Sequence, residues 1–304
     1  MANIAEKVLE EQNPTALKAA NDLLLKLGEY NSTWVVNEDK HAFVECATFA
    51  DDFKYHGEMW QSDFHFIDFP WIEEGEDADY KINLSSRNLT DGMTTIVNWL
   101  SGKHGKTIYE SAYMYTFLMK KFENNEDAAK SYALRLLIHY MGDLMQPFHC
   151  ENRFNKKYPA GDKGANGFAL KNHYSVSELH ALWDKILYDG KNNVARPFTD
   201  ATWTSFQSDV DNVMTTYADA VKYKYYYQSV KYDDFAKESF DIAITLYDGL
   251  TEGEAVPQEY LDKNKPIAYD RLMKGGYRLY WTIDYIFGGS NEVVDQETIA
   301  EFLQ

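Results

Sequence analysis

One stretch constrains the fold of this chain more than any other: LRLLIHYMGDLMQPFHC, from Leu134 to Cys150. Leu134, Leu137, Ile138, Met141 and Met145 recur at helical spacing and form one apolar stripe. His139 and Asp143, one turn apart, share the face roughly opposite. Tyr132, Leu136 and Tyr140 lie on that face too, so it is not an ordinary solvent face. A helix apolar nearly all round is a buried helix and needs a shell of other elements around it. An imidazole and a carboxylate then point into the interior, where an isolated charge is costly unless it is paired or metal-bound. Pro147 ends the helix, and His149 follows at the break.

The shell is predicted to be helical as well. Asn13 followed by Pro14 reads as a cap with proline at the first helical position, and Leu17, Ala20, Leu23, Leu24 and Leu27 follow at helical spacing. The first residues of the chain already read as an amphipathic helix. Further helices are predicted over roughly 40–55, 107–123, 126–146, 177–188, 200–225, 232–250 and 267–287. Strand-like alternation is confined to short stretches, roughly 64–69 and 167–172. Only 7 prolines and 17 glycines punctuate 304 residues, and no linker, low-complexity segment or repeat breaks the pattern. The reading is all-α: one mostly helical domain over 1–287, with loop insertions at roughly 69–90 and 150–176 and room for a short β-hairpin. A tail, 288–304, follows Gly288 and Gly289 and reads as one more short helix.

Composition excludes several classes. Hydrophobic residues at 45% and aromatics at 15% exclude disorder as the main state. No run of about 18 apolar residues is present, which excludes a transmembrane helix. Acids outnumber bases 48 to 30, a net charge of -18, which argues against a module that binds nucleic acid through a basic face. It leaves open a polyanionic substrate held by metal ions. Cys46 and Cys150 are too few for a disulfide framework or a cysteine zinc site and read as buried free thiols. Three N-x-S/T triplets start at Asn31, Asn83 and Asn88. Met1 to Lys7 has neither a basic nor an apolar region of the kind a signal peptide needs.

A second His–Asp pair lies in SELHALWDKIL. Ser175 and Glu178 have capping-box spacing, Leu179, Leu182, Trp183, Ile186 and Leu187 make the buried face, and His180 and Asp184 flank its edge one turn apart. Alone, each pair reads as a hydrogen-bonded or ion-paired histidine. Together, with His149, they fit a zinc cage of nitrogen and oxygen donors equally well. On spacing alone, Asp51 in CATFADDFK is a solvated helix acid, and His65 in FHFIDF is a satisfied core histidine.

Seven motifs in order carry a resemblance: ADDFK, FHFID, LIHYMGDLMQPFH, GDKGANGF, LHALWD, KESFDIA and KGGYRLYW. With them the chain resembles the S-one/P-one type of zinc-dependent single-strand nucleases, which includes plant bifunctional nucleases and protozoan 3'-nucleotidases. It is more distantly similar to the bacterial phospholipases C. The resemblance covers Met1 to about Phe287. It implies a mostly helical domain with three zinc ions in a cleft. By that resemblance Asp51, His65, His139 and Asp143 are ligands of a first zinc, with Asp143 bridging to a third. His149, His180 and Asp184 are ligands of a second. The third also needs an N-terminal tryptophan and a nearby histidine, which this sequence lacks. The expectation is therefore two zincs on the ligands present, in a sequence that has lost its first catalytic residues.

The resemblance also implies substrate contacts: Phe66 stacking on a base, Asp68 accepting from the base edge, and Lys54 beside the scissile phosphate. Asn166, in a loop that reads Gly164-Ala165-Asn166 where the family has Gly-Gly-Asn, lies near the substrate. The ordinary alternatives are a core phenylalanine, a surface lysine and a turn asparagine. The implied reaction is zinc-dependent hydrolysis of phosphodiester bonds in single-stranded DNA or RNA, giving 5'-nucleotides, with 3'-nucleotidase activity. Asp51, Lys54 and Asp143 take the catalytic roles. A phospholipase C on the same scaffold and an inactive two-zinc relative are the rivals. A secreted, glycosylated protein with no stable protein partner is expected from the resemblance alone.

Overall fold

The computed structural model describes residues 1–75, 80–82, 84–190, 194–221 and 229–289. Helix α7, Glu126–Met145, runs through the middle of the molecule. Asn125 caps it by accepting from the Ala128 amide at 3.1 Å, and Glu126 and Asp127 place negative charge in its first turn, where the helix dipole favours it. Sixteen of its 20 residues are buried, including His139 and Asp143, so the all-round apolar pattern is a core helix as the sequence predicts. Each buried Leu or Met of this kind contributes about 1.5–3 kcal/mol relative to exposure.

Four helices pack around it: α2 (Pro14–Tyr30), α5 (Leu89–Ser101), α10 (Tyr232–Ala243) and α11 (Gln258–Phe287). Asn13 caps α2 by accepting from Ala16 at 3.1 Å, with Leu17, Ala20, Leu24 and Leu27 turned inward. Helix α1, Ala2–Gln12, crosses α11 at Gly275 and Gly276. A β-carbon at Gly276 would collide with Ile4 and one at Gly275 with Met1, which explains the glycine pair in KGGYRLYW. The remaining α-helices among the described residues are α3 (Ala42–Glu45), α4 (Phe49–Lys54), α6 (Tyr113–Lys121), α8 (Leu179–Asp184) and α9 (Asp200–Thr216).

Two small sheets complete the architecture. Strands β1 (Phe69–Ile72) and β2 (Glu151–Phe154) pair in parallel, with Phe69 opposite Glu151. Strands β3 (Ala169–His173) and β4 (Val176–Glu178) form the antiparallel hairpin expected near 167–172.

Several boundaries differ from the sequence reading. The helix expected over 40–55 is broken: a 3-10 turn, Cys46–Thr48, separates α3 from α4. The stretch 64–69 is not a strand. His65 ends a 3-10 helix, Met59–His65, and β1 starts at Phe69. Helix α5 occupies part of the supposed insertion and runs on beyond it, capped by Asn88 and ended by Gly102 in the left-handed region. Ser175 and Glu178 form no capping box. Ser175 sits in the hairpin turn at φ 60°, and Glu178 pairs with Ala169. Helix α8 stops at Asp184, and Ile186, Leu187 and Tyr188 all take positive φ. Helix α9 ends at Thr216, α10 at Ala243, and α11 starts nine residues earlier than expected, continuing through Pro266. The tail helix expected after Gly288 and Gly289 lies outside the described residues from 290 on, as does Asn83. Asn31 is exposed, whereas Asn88 is engaged in its cap. Cys46 and Cys150 are both buried and free.

Candidate metal centre

The fold brings two groups of histidine and aspartate into one cleft of about 530 Å³. The first group is Asp51 on α4, His65 at the end of its 3-10 helix, and His139 and Asp143 on α7. His65 Nδ1 and His139 Nε2 stand 3.3 Å apart. Asp143 Oδ2 lies 2.9 Å from the former and 3.2 Å from the latter. The Asp51 carboxylate closes the fourth side, 3.8 Å from His65 and 3.7 Å from His139. Four ligands held about 2.0–2.1 Å from one centre would be about 3.3 Å apart, so these donors already approximate a tetrahedron.

The second group is His149, just past the end of α7, with His180 and Asp184 on α8. Asp184 lies 3.7 Å from each imidazole Nε2. Gln146 donates to its other side, 2.9 Å from Oδ1. Asp143 stands between the groups: its Oδ1 comes within 3.9 Å of His149.

Backbone carbonyls orient three of the four histidines. His139 Nδ1 donates to Ala47 O at 2.8 Å, His149 Nδ1 to His65 O at 2.7 Å, and His180 Nδ1 to Gly164 O at 2.7 Å. A carbonyl can only accept, so Nδ1 carries the proton and each Nε2 lone pair is free for a cation, a recurrent arrangement around metal-binding histidines. The break between α3 and α4 serves this purpose, since it frees the Ala47 carbonyl from helical pairing. His65 is the exception: its Nδ1 faces the group, and its buried Nε2 has no hydrogen-bond partner among the described residues.

The charges show how tightly the groups are coupled. Burial disfavours charge on His139, but the Asp143 carboxylate beside it prevails and pushes it up to about 9. His149 is pushed up to about 9 in the same way: burial opposes, and Asp143 and Asp184 outweigh it. Burial also works against Asp143, yet three neighbouring imidazoles hold it well below the usual carboxylate range. Burial lowers His65 and His180. Protons here stand in for positive charge that the aspartates demand. A donor set of imidazoles and carboxylates without thiolate fits zinc at both groups.

Most of the predicted substrate residues reach the same cleft. Lys54, Phe66 and Asn166 line it. Phe66 stacks on His149 with ring centroids 4.9 Å apart and planes 11° from parallel. Lys54 Nζ lies 5.5 Å from the Phe66 centroid. Ala165, where the β-carbon was expected to strain the turn, adopts φ 59° and is fully buried beside Gly164, whose own β-carbon would strike the Phe148 carbonyl. Asp68 is not among the cleft-lining residues. It sits behind Phe66 at φ 51°, and burial pushes it up to about 6. His139 likewise stands behind the cleft surface.

Three site residues escaped the sequence reading. Gln146 tethers Asp184 and also accepts from the Phe148 amide, and its place before Pro147 at the helix end was the available signal. Arg271, buried at the cleft wall with Glu238, and Trp183 line the cleft from α11 and α8. Nothing in their local sequence marks Arg271 as facing this cleft.

The sequence model described as S1/P1 Nuclease matches residues 1–288. The chain is 28% identical over 302 residues to Endonuclease 2 of Arabidopsis thaliana, covering 95% of this chain and 88% of that one. It is 24% identical over 299 residues to Endonuclease 4 of the same plant, covering 94% and 86%. Nuclease S1 of Aspergillus oryzae is 23% identical over 266 residues, covering 83% and 82%.

Proposed function

This chain belongs to the S1/P1 nuclease family, whose members hydrolyse nucleic acids, and from that premise we propose that it is a zinc-dependent single-strand nuclease with 3'-nucleotidase activity. The observation that carries the reading is the placement of two imidazole–carboxylate groups in one cleft, with Asp143 between them and Phe66 against His149. Asp51, His65, His139 and Asp143 would hold one zinc, and His149, His180 and Asp184 another. Bound there, zinc supplies Lewis acidity towards a phosphoryl oxygen and makes water a nucleophile near neutral pH.

The chain's own residues supply the rest. The Nδ1–H bonds to backbone carbonyls keep the rings fixed, so the donors need no reorganisation when substrate arrives. Phe66 offers a flat apolar surface on which a base can stack, and every base has such a face only when unpaired from a duplex stack. Lys54 places a positive charge beside that ring, in reach of the phosphate attached to a stacked nucleotide, and stabilises charge building up on phosphorus. Asn166 donates from Nδ2 to Lys163 O at 2.8 Å, which leaves its carbonyl oxygen free to accept from substrate. Asp68 contributes from behind Phe66, as a base-edge acceptor that substrate binding would draw forward.

The test is a matched pair of oligonucleotides, one single-stranded and one a sealed duplex, given to the zinc-loaded chain. Cleavage of the single strand with 5'-phosphate ends, and release of phosphate from a 3'-nucleotide, is the expected result. Release of a head group from phosphatidylcholine with no cleavage of either strand would replace the nuclease reading with a phospholipase.

A further inference from the structure

We propose that Tyr247 is a positioning residue for the second histidine group: from behind the cleft it clamps the two backbone segments that carry His149 and His180. This rests on the zinc reading of that group, and the experiment below separates the two.

Tyr247 lies just past the end of α10 and is 8% exposed. Its hydroxyl lies 2.6 Å from Asp162 Oδ2 and 3.0 Å from Glu151 Oε2. Both carboxyl groups are buried, at 1% and 0% exposure. A phenol is one of the few neutral groups that can serve two carboxyl groups at once, with one proton to give and lone pairs to accept. Phe148, Phe168 and Trp71 surround its ring, with centroids 5.4, 5.6 and 5.4 Å away, so the hydroxyl is held in place.

Each acid leads to one histidine. Glu151 opens β2 two residues after His149 and is fixed opposite Phe69 in the parallel pair. On the other side of His149, the Ile67 amide donates to the His149 carbonyl at 2.9 Å. Asp162 governs the loop that supports His180. Its Oδ1 accepts from the Arg153 and Ala165 amides, both at 3.1 Å, and its own carbonyl accepts from Gly167 at 2.8 Å. Between them sits Gly164, whose carbonyl accepts from His180 Nδ1. Lys163, Gly164 and Ala165 all take φ near 60°, a conformation that two of these residues adopt only under constraint. Asp162 supplies the constraint, and Tyr247 holds Asp162 relative to Glu151. No comparable link joins Tyr247 to the first group, whose His139 leans on Ala47.

The variant Tyr247→Phe removes one oxygen from an aromatic setting that suits phenylalanine. Zinc affinity is measured at each group by competition with a chromophoric chelator, alongside the exchange rate of the His180 Nδ1 proton by NMR in the metal-free chain. Affinity at the second group is expected to fall about tenfold or more, with the first unchanged, and the proton to exchange faster. Asp162→Asn, which keeps the shape of the loop's anchor, is expected to show a smaller loss at the same group. Wild-type behaviour of the His180 proton in both variants would overturn the clamp, whatever the metal does. So would equal weakening of both groups, which is the mark of a general loss of structure. A wild-type chain that takes up no zinc would count against the metal reading instead, leaving the clamp to be judged on the proton.

Discussion

The two histidine groups share a cleft but are built differently. The first is assembled from core elements. His139 and Asp143 come from one buried helix, and His65 and Asp51 are brought to it by short helices packed on that helix. The second depends on a turn and a loop: His149 follows a helix break, His180 and Asp184 lie on a six-residue helix, and the loop carbonyl at Gly164 orients the ring. The difference teaches that one donor set can be fixed either by core packing or by a hydrogen-bonded loop. Substitutions should therefore damage the two groups independently, except at Asp143, which faces both.

Asp143→Ala is the sharpest way to break the comparison. It removes the carboxylate that three imidazoles surround, and hydrolysis of single strands should fall by roughly 10³-fold or more, with metal lost from the first group. Zinc analysis and a cleavage assay on the same sample check it. His180→Ala should cost roughly 10²-fold or more while one zinc stays in place, so the metal content reports independence directly. Phe66→Ala should leave both metals bound and weaken single-strand binding by about 1–3 kcal/mol, read as a rise in KM.

The smallest effect concerns pH. In the metal-free chain His139 and His149 keep their protons up to about 9. Binding at Nε2 displaces one proton from each group, so zinc affinity should rise roughly tenfold per pH unit at each group from neutrality towards 9. These rings are raised above the ordinary histidine value. Their contribution to metal-free stability is therefore full below about 6.5 and is lost as pH rises through about 9. Thermal unfolding of the metal-free chain across that window checks the sign.

Much of this was legible in the sequence. The all-round apolar pattern of Leu134–Met145 announced both a core helix and a buried pair of functional groups, because helical periodicity is local. The resemblance placed Asp51 and His65 beside that pair, where spacing alone had left them as surface and core residues. What stayed hidden was non-local. The break at Cys46–Thr48 exists because the Ala47 carbonyl is drawn to His139, 92 residues away. Ser175 and Glu178 have the letters of a capping box, but strand pairing with Ala169 decided their conformation. Helix α5 was legible and missed, since Asn88 and Gly102 carry standard start and stop signals. Tyr247 shows nothing in its neighbourhood that predicts two buried acids.

The most direct test of the central claim is a zinc titration of the metal-free chain, with single-strand cleavage followed at every point. The account predicts that cleavage appears only as both histidine groups fill and that chelation abolishes it. Full occupancy of both groups with no cleavage of any single strand would contradict it, as would undiminished cleavage by the metal-free chain.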